Sequence, residues 1–408
     1  MYKKRLLADR IRRSLEFFPV VAVVGARQTG KTTLVREEFP ERRYFSLDFP
    51  EIRAAAEEDP YGFLASLDPP ATIDEIQKVP EIFQALKALV DKKREPGMFL
   101  ITGSANFLLL SKISETLAGR IAVFELPGFA ISEAEGYPPP DFIKRCLQEE
   151  KIPHPDEAYP KPYIEALIKR GTLPPSVLAP DQEIRRMWLE NYVATYLERD
   201  LRDLSQVASL GDFRRVMGLA ASRTASILNV SELARDAGIS VSTARNYLQL
   251  LEISYQIRRL PPYFANLGKR LVKSPKLHFR DTAVALTLSG LGVGEESLFG
   301  HPYFAQLVET FLIEEIIKLT NIFIPEAKFY HFRTHGGTEV DLVIEAKGRL
   351  LPIEIKSSAS LSPKKLSGLK RFLKDFENKT PFGIAVYLGE NTLKISDNIL
   401  LVPWNQVI

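Results

Sequence analysis

A single cysteine, Cys146, stands in the 408 residues. No intramolecular disulfide can form, and the lone thiol reads as a small buried hydrophobe in a reducing cytoplasm. Long apolar runs are missing too. No segment approaches the roughly 18 uninterrupted apolar residues that a membrane span requires. The N-terminal stretch MYKKRLLADRIRRSLEF is basic and amphipathic and lacks the apolar core of a signal peptide. Nor is there much excess of one charge. Fifty-four Lys and Arg face 51 Asp and Glu, a net of +3 with His neutral. That total does not establish a nucleic-acid partner, and local basic clusters carry more weight. The sequence shows no internal repeat and no low-complexity tract.

What is present is an ordinary globular composition, 45% hydrophobic and 26% charged, long enough for two to three domains. From Val20 to about Tyr137, apolar strands (VVAVVG, RRYFSLDF, ATIDEI, MFLITGS) alternate with helical stretches such as EIFQALKALVDKKR. Near-continuous apolar strands between helices predict a parallel sheet covered on both faces. The Pro-rich stretches YPPPDF and IPHPDEAYPKP predict a linker or a set of loops. Pro162 to Gly290 reads as helical. From His301 onward the order is helix, three strands, helix and short strands.

The segment GARQTGKTT follows an apolar strand and opens a helix, the context a phosphate-binding loop needs. Gly25 and Gly30 let the backbone close round a phosphate, and the N–H groups of Gln28, Thr29, Thr32 and Thr33 lie at the helix N-terminus. Lys31 is expected to reach the β- and γ-phosphates of a nucleotide, and Thr32 to ligate Mg²⁺. ATIDEIQ supplies the complement: Asp74 for the Mg²⁺ shell and Glu75 to orient or deprotonate the attacking water. FLITGSAN ends beside the expected γ-phosphate, with Thr102 or Ser104 as sensor of the nucleotide state or as turn and capping residues. Arg120, in LAGR before the next strand, is either an exposed arginine or one that stabilises transition-state charge in a neighbouring subunit of a homo-oligomer.

The combination of GARQTGKTTL, IDEIQ, LITGS and LAGR, with YLERDLRDL and KLHFRDTAV further on, resembles prokaryotic AAA-type ATPases with a C-terminal domain of unknown function. The resemblance covers nearly the whole chain. It implies ATP with Mg²⁺ as nucleotide and cofactor, and a C-terminal part made of a winged-helix-like segment and a restriction-endonuclease-like fold. The expected fold class is therefore α/β: a P-loop parallel-sheet ATPase domain over residues 1–137, a linker and helical lid over 138–215, a winged-helix-like segment over 216–294 and an endonuclease-like domain over 295–408. Only the stretch YPPPDFIKRCLQEEKIPHPDEAYPKP matches nothing in the family.

NVSELARDAGISVSTARNYLQLLE predicts two helices joined at Gly238, with Leu233, Ala234, Ile239, Ala244, Leu248 and Leu251 inward and Ser242, Thr243, Arg245 and Asn246 outward, as in a recognition helix. Arg258, Arg259 and GKRLVKSPK (with Lys269 and Arg270) add positive charge where a wing would touch DNA phosphate. The bland alternative is a helical packing module. TEVDLVIEAKGRLLPIEIK reads as a hairpin turning at Lys347-Gly348, which sets Asp341 opposite Glu354 and Glu339 opposite Lys356. Opposed acids destabilise a strand pair, so something is expected to offset the repulsion, such as a metal ion. The endonuclease-like resemblance implies a metal: Asp341 and Glu354 as Mg²⁺ ligands, Lys356 beside the activated water, and Glu309 as a further metal-side acid. Otherwise these charges merely face water. The resulting expectation is a cytoplasmic AAA-type ATPase coupled to a DNA-binding, endonuclease-like module, without a membrane partner. The alternative is a nucleotide-dependent switch for protein partners.

Overall fold

The computed structural model describes residues 2–104, 116–149, 151–155, 163–197, 209–264, 274–294, 296–334, 336–361 and 363–408. The chain forms two compact units, Met1–Phe129 with Ile253–Gln256, and Ala130–Glu252 with Ile257–Ile408.

In the first unit, strands β1 (Val20–Gly25), β2 (Arg43–Ser46), β3 (Ala71–Asp74), β4 (Phe99–Ser104) and β5 (Ile121–Glu125) form one sheet in the order β2-β3-β4-β1-β5. Every pair is parallel. The central strands β1 and β4 are buried along their whole length, while the edge strand β5 is half-exposed. The alternation on β1 shows why its sequence is apolar throughout. Val20, Ala22 and Val24 join Ile73, Phe83, Leu86 and Ile101 on one face; Val21 and Val23 join Ile11, Leu34, Val35 and Leu100 on the other. Each fully buried Val or Leu is worth about 1.5–3 kcal/mol, so both faces contribute. At the amino edge, the buried Arg42 donates to the carbonyls of Ala71, Gly97 and Met98 at 3.1, 2.8 and 3.1 Å, tying strand entries together.

The second unit holds two sheets. The small one has β6 (Ser226–Ile227), β7 (Ile257–Leu260) and β8 (Lys276–Phe279), antiparallel in the order β6-β8-β7. The larger, mixed sheet has β9 (Lys328–Arg333), β10 (Glu339–Ala346), β11 (Arg349–Lys356), β12 (Gly383–Tyr387), β13 (Leu393–Ser396) and β14 (Ile399–Pro403), in the order β13-β14-β12-β11-β10-β9. The hairpin follows the register that its alternation predicts, with Leu342 opposite Ile353 and Ala346 opposite Arg349. Lys347 and Gly348 both take positive φ, 50° and 80°, the backbone a tight hairpin turn demands. Helix Ser367–Asp375 buries a stripe of Leu369, Phe372 and Leu373. It lies so near β10 that a Cβ on Gly368 would fall 1.8 Å from the Glu339 carbonyl oxygen.

Helix Phe304–Phe323 carries buried charges with assigned partners. Arg258 donates to both Glu314 oxygens, at 2.7 and 3.1 Å, and Glu315 accepts from the backbone N–H of Ile131 at 2.6 Å. The Pro-rich tract is more than a connection. Phe142–Gln148 is a helix, because Phe142, Ile143, Cys146 and Leu147 recur at helical spacing and are all buried. Burial pushes the Cys146 thiol up. Helices Val230–Ala237 and Val241–Ile253 meet at Gly238, at φ 69°, with Leu233, Ala234, Ala244, Leu248 and Leu251 inward as expected. The cap of the first is Asn229, whose side chain accepts from the Glu232 N–H. Among the described residues no helix is long and apolar enough to cross a membrane.

Candidate functional site

The carboxyl edge of the parallel sheet gathers the first site. β1 ends in Gly25, where a Cβ would meet the Leu126 carbonyl oxygen at 2.4 Å, so only glycine lets the loop leave the sheet there. Gln28 and Gly30 take positive φ, 62° and 89°, and helix Lys31–Glu38 starts directly after the turn. Thr29 is buried and donates its hydroxyl to Ala26 O at 2.8 Å, which shapes the loop from within. The Lys31 ammonium donates to the carbonyls of Gly25 and Ala26 at 3.1 and 2.8 Å. Burial lowers its pKa to about 8 against the pull of Glu75 and Asp74. Thr33 is exposed on the helix.

Asp74, at the end of β3, is the hub. Its Oδ2 accepts from Thr32 Oγ1 at 2.9 Å and from Tyr44 OH at 2.6 Å, and its Oδ1 accepts from Thr102 Oγ1. Glu75 follows in left-handed backbone, φ 56°, and its carboxylate accepts from Gln77 Nε2. The same amide nitrogen lies 2.8 Å from Ser104 Oγ. Of the two sensor candidates, Thr102 thus holds Asp74, and Ser104 is linked through Gln77 to Glu75. Thr32, Asp74, Thr102, Glu75 and, through Gln77, Ser104 form one hydrogen-bonded group, whose acids Glu75 and Asp74 act electrostatically on Lys31.

Arg120 lies apart from this group. Val20 N donates to its carbonyl at 3.3 Å, so it stands at the amino edge of the sheet, about five residues or ~16 Å along the strands from the loop. Its guanidinium engages both Asp91 oxygens and Ala118 O.

Three contributors escaped the sequence reading. Arg5, buried in the N-terminal stretch, donates to the Thr29 carbonyl at 2.8 Å and to Pro127 O at 2.7 Å, bracing the phosphate loop from behind. Tyr44 and Gln77 position the two acids. Arg5 carried no signal beyond its basic charge. Tyr44 did carry one: it sits on the strand paired with Ala71–Asp74.

The second acid cluster lies on the mixed sheet. The ladder pairs Leu342 with Ile353, the Asp341 charge bears on Glu354, and a side-chain cation stands beside Asp341. The Lys276 ammonium, from β8, lies 2.5 Å from Glu309, 2.8 Å from Glu339 and 3.1 Å from Asp341. Asp341 also accepts from the Ile355 N–H at 2.8 Å, and Lys356 donates to Glu354 at 2.6 Å. Nothing in the sequence spacing brings residue 276 to this place. Among the described residues no group of three His, Cys, Asp or Glu is arranged to hold a metal. Burial opposes the charge on Lys276, yet Asp341, Glu309 and Glu339 hold its pKa well above the ordinary lysine range. Burial and the Asp341 charge raise Glu309 and Glu354 to about 8. Asp341 stays below its ordinary range despite burial, because Lys276 and Lys356 face it. His331 is buried and pushed down to about 4; His335 lies outside the described residues.

The basic residues expected on a wing are partly engaged. Arg258 holds Glu314 and Arg259 holds Glu252. Lys269 and Arg270 lie outside the described residues. Arg245 and Asn246 are exposed on their helix.

The model of an AAA domain matches residues 18–135. Two further models, both described as domains of unknown function, DUF8612 and DUF4143, match residues 161–295 and 304–407. The uncharacterized proteins Mb2031c of Mycobacterium bovis and Rv2008c of Mycobacterium tuberculosis are each 33% identical over 412 residues, covering 100% of this chain and 85% of each relative. The Walker-type ATPase paby2304 of Pyrococcus abyssi is similar over 71% of this chain and 96% of its own, at 17% identity and a TM-score of 0.45. By the family model, residues 18–135 are an AAA-type P-loop ATPase domain.

Proposed function

We propose a function from one premise: this chain belongs to the same family as the mycobacterial proteins Mb2031c and Rv2008c, and its N-terminal part is an AAA-type P-loop ATPase domain. We read it as a Mg²⁺-dependent ATP hydrolase whose turnover is coupled to a DNA-binding C-terminal module. The observation that carries the hydrolase reading is the 2.9 Å bond from Thr32 Oγ1 to Asp74 Oδ2. It joins the phosphate-loop hydroxyl to the strand-end carboxylate at the head of a helix.

The donor set there is a hydroxyl and a carboxylate, the hard oxygens that suit Mg²⁺. Thr32 and Asp74 would hold the ion, and when bound it would neutralise charge on the β- and γ-phosphates. The chain's own groups do the rest. Loop N–H groups and the helix N-terminus cradle the phosphates. Lys31 exchanges the carbonyls of Gly25 and Ala26 for phosphate oxygens. Glu75, steadied by Gln77, orients the attacking water and accepts its proton. Ser104, bonded to the same amide, registers whether the γ-phosphate is present. Lys31→Ala should abolish nucleotide binding, and Glu75→Gln should bind ATP yet hardly turn it over. Unchanged hydrolysis in both variants would sink the assignment.

The coupling to DNA is supported by the exposed Ser242, Arg245 and Asn246 on the second of two helices joined at Gly238. ATPase rate measured with and without DNA on the intact chain tests it. Stimulation that weakens in Arg245→Ala is the expected result. No effect of any DNA at low salt favours a switch acting on protein partners.

A further inference from the structure

The acids of the C-terminal cluster come from three elements: Glu309 from helix Phe304–Phe323, Glu339 and Asp341 from β10, and Glu354 from β11. One ammonium meets three of these carboxylates within 3.1 Å, and Lys276 is 2% exposed. A buried carboxylate group of this density needs a cation, and oxygen-only donors of this kind are what Mg²⁺ or Mn²⁺ takes. A second observation points the same way. Glu354 is 5% exposed, and its Oε2 has no hydrogen-bond partner, an acceptor with unused capacity beside a filled cation position. The other charged or titratable groups facing the cluster are Lys356, paired with Glu354, and the neutral rings of His278 and His331.

We propose that Lys276 is the resident cation of this cluster, standing where a divalent hard metal ion would sit, so that the wild-type chain is closed to metal there and loss of the ammonium opens the site. Lys276 belongs to the segment matched by one domain model and its acids to the segment matched by the next. The ammonium is therefore also a latch between two parts of the second unit. The proposal stands independently of the ATPase reading.

The test is calorimetric titration of the nucleotide-free full chain with MnCl₂, where binding at the phosphate loop is common to all variants and cancels. Wild type and Asp341→Asn should bind the same number of Mn²⁺ equivalents. Lys276→Met should bind one more per chain, lost again in Lys276→Met/Asp341→Asn, whereas Lys276→Arg, which keeps a cation, should gain none. Should Lys276→Met fold only in Mn²⁺ and not in EDTA, that recovery is itself the gained site. Two outcomes overturn the proposal: a wild-type Mn²⁺ equivalent that Asp341→Asn removes, which means metal and ammonium coexist, or a folded Lys276→Met that gains none. If Lys276→Met folds under neither condition, the wild-type and Asp341→Asn comparison decides alone.

Discussion

Asp74 and Asp341 are both buried strand aspartates, and they are met by different donors. Asp74 accepts from the hydroxyls of Thr32, Tyr44 and Thr102; Asp341 accepts from an ammonium and a backbone N–H. Hydroxyls orient a carboxylate's oxygens without supplying a countercharge, which leaves room at Asp74 for an arriving cation. An ammonium orients and neutralises at once, so Asp341 has little left to offer. Two motifs that read alike in sequence, an acid at a strand with a lysine not far off, thus serve opposite ends.

The sharpest way to break this contrast is Asp341→Asn. Were the acids merely opposed, removing one would stabilise the chain. Because Asp341 holds Lys276, the change should destabilise instead, by about 3–5 kcal/mol, the cost of breaking a buried pair. Thermal melting of the full chain decides between the two signs. Next in size is Tyr44→Phe. Losing one hydroxyl from Asp74 should weaken the Mg²⁺ dependence of hydrolysis by about 10–100-fold, the usual cost of an orienting partner, with little change in melting. Mg²⁺ titrations of ATPase rate give the number.

The third prediction concerns pH. Lys31 has an ordinary pKa of 10.5 and titrates near 8 in the folded, nucleotide-free chain. Burial therefore penalises its ammonium below pH 8, and the penalty is relieved as pH rises toward the unfolded value. Between these limits the free protein sheds the proton that the phosphates need. ATP affinity should fall as pH rises above 8, by at most about tenfold per unit, and Lys31→Arg, whose side chain stays charged across this range, should flatten that profile. The smallest stability effect is expected from Arg120→Ala, since its partner Asp91 is solvent-exposed. ATP affinity should stay unchanged. Turnover per chain that depends on protein concentration in the parent, and drops in the variant, would identify Arg120 as an arginine acting across a subunit boundary.

Local patterns explain what the sequence made legible. VVAVVG announces a doubly covered strand, GARQTGKTT its loop, and alternation on either side of Lys347-Gly348 fixes the hairpin register to the residue. Asp74, Glu75 and Ser104 were found because each ends an apolar strand. The rest depends on contacts between distant positions. Lys276 meets Asp341 across 65 residues, and Arg5 meets Pro127 across 122. In KLHF the lysine looks like a strand-edge charge, yet it is buried in a strand that is buried throughout. Such burial requires partners, but nothing in the spacing says which ones. In the Pro-rich tract, the prolines at 138–140 signal a loop, while the apolar spacing just beyond them forms the helix Phe142–Gln148.

Gly368 carries no charge and makes no bond to the acid cluster, yet its missing side chain sets where Glu339 can be. A methyl group there would run into the Glu339 carbonyl oxygen, 1.8 Å from the built Cβ, and the strand would have to yield before the helix could seat. The helix therefore works as a gauge block against β10, and the tolerance of the lysine's seat is machined at a residue that never touches it. Mutational drift could detune that seat through position 368 while every charged residue in it stays the same.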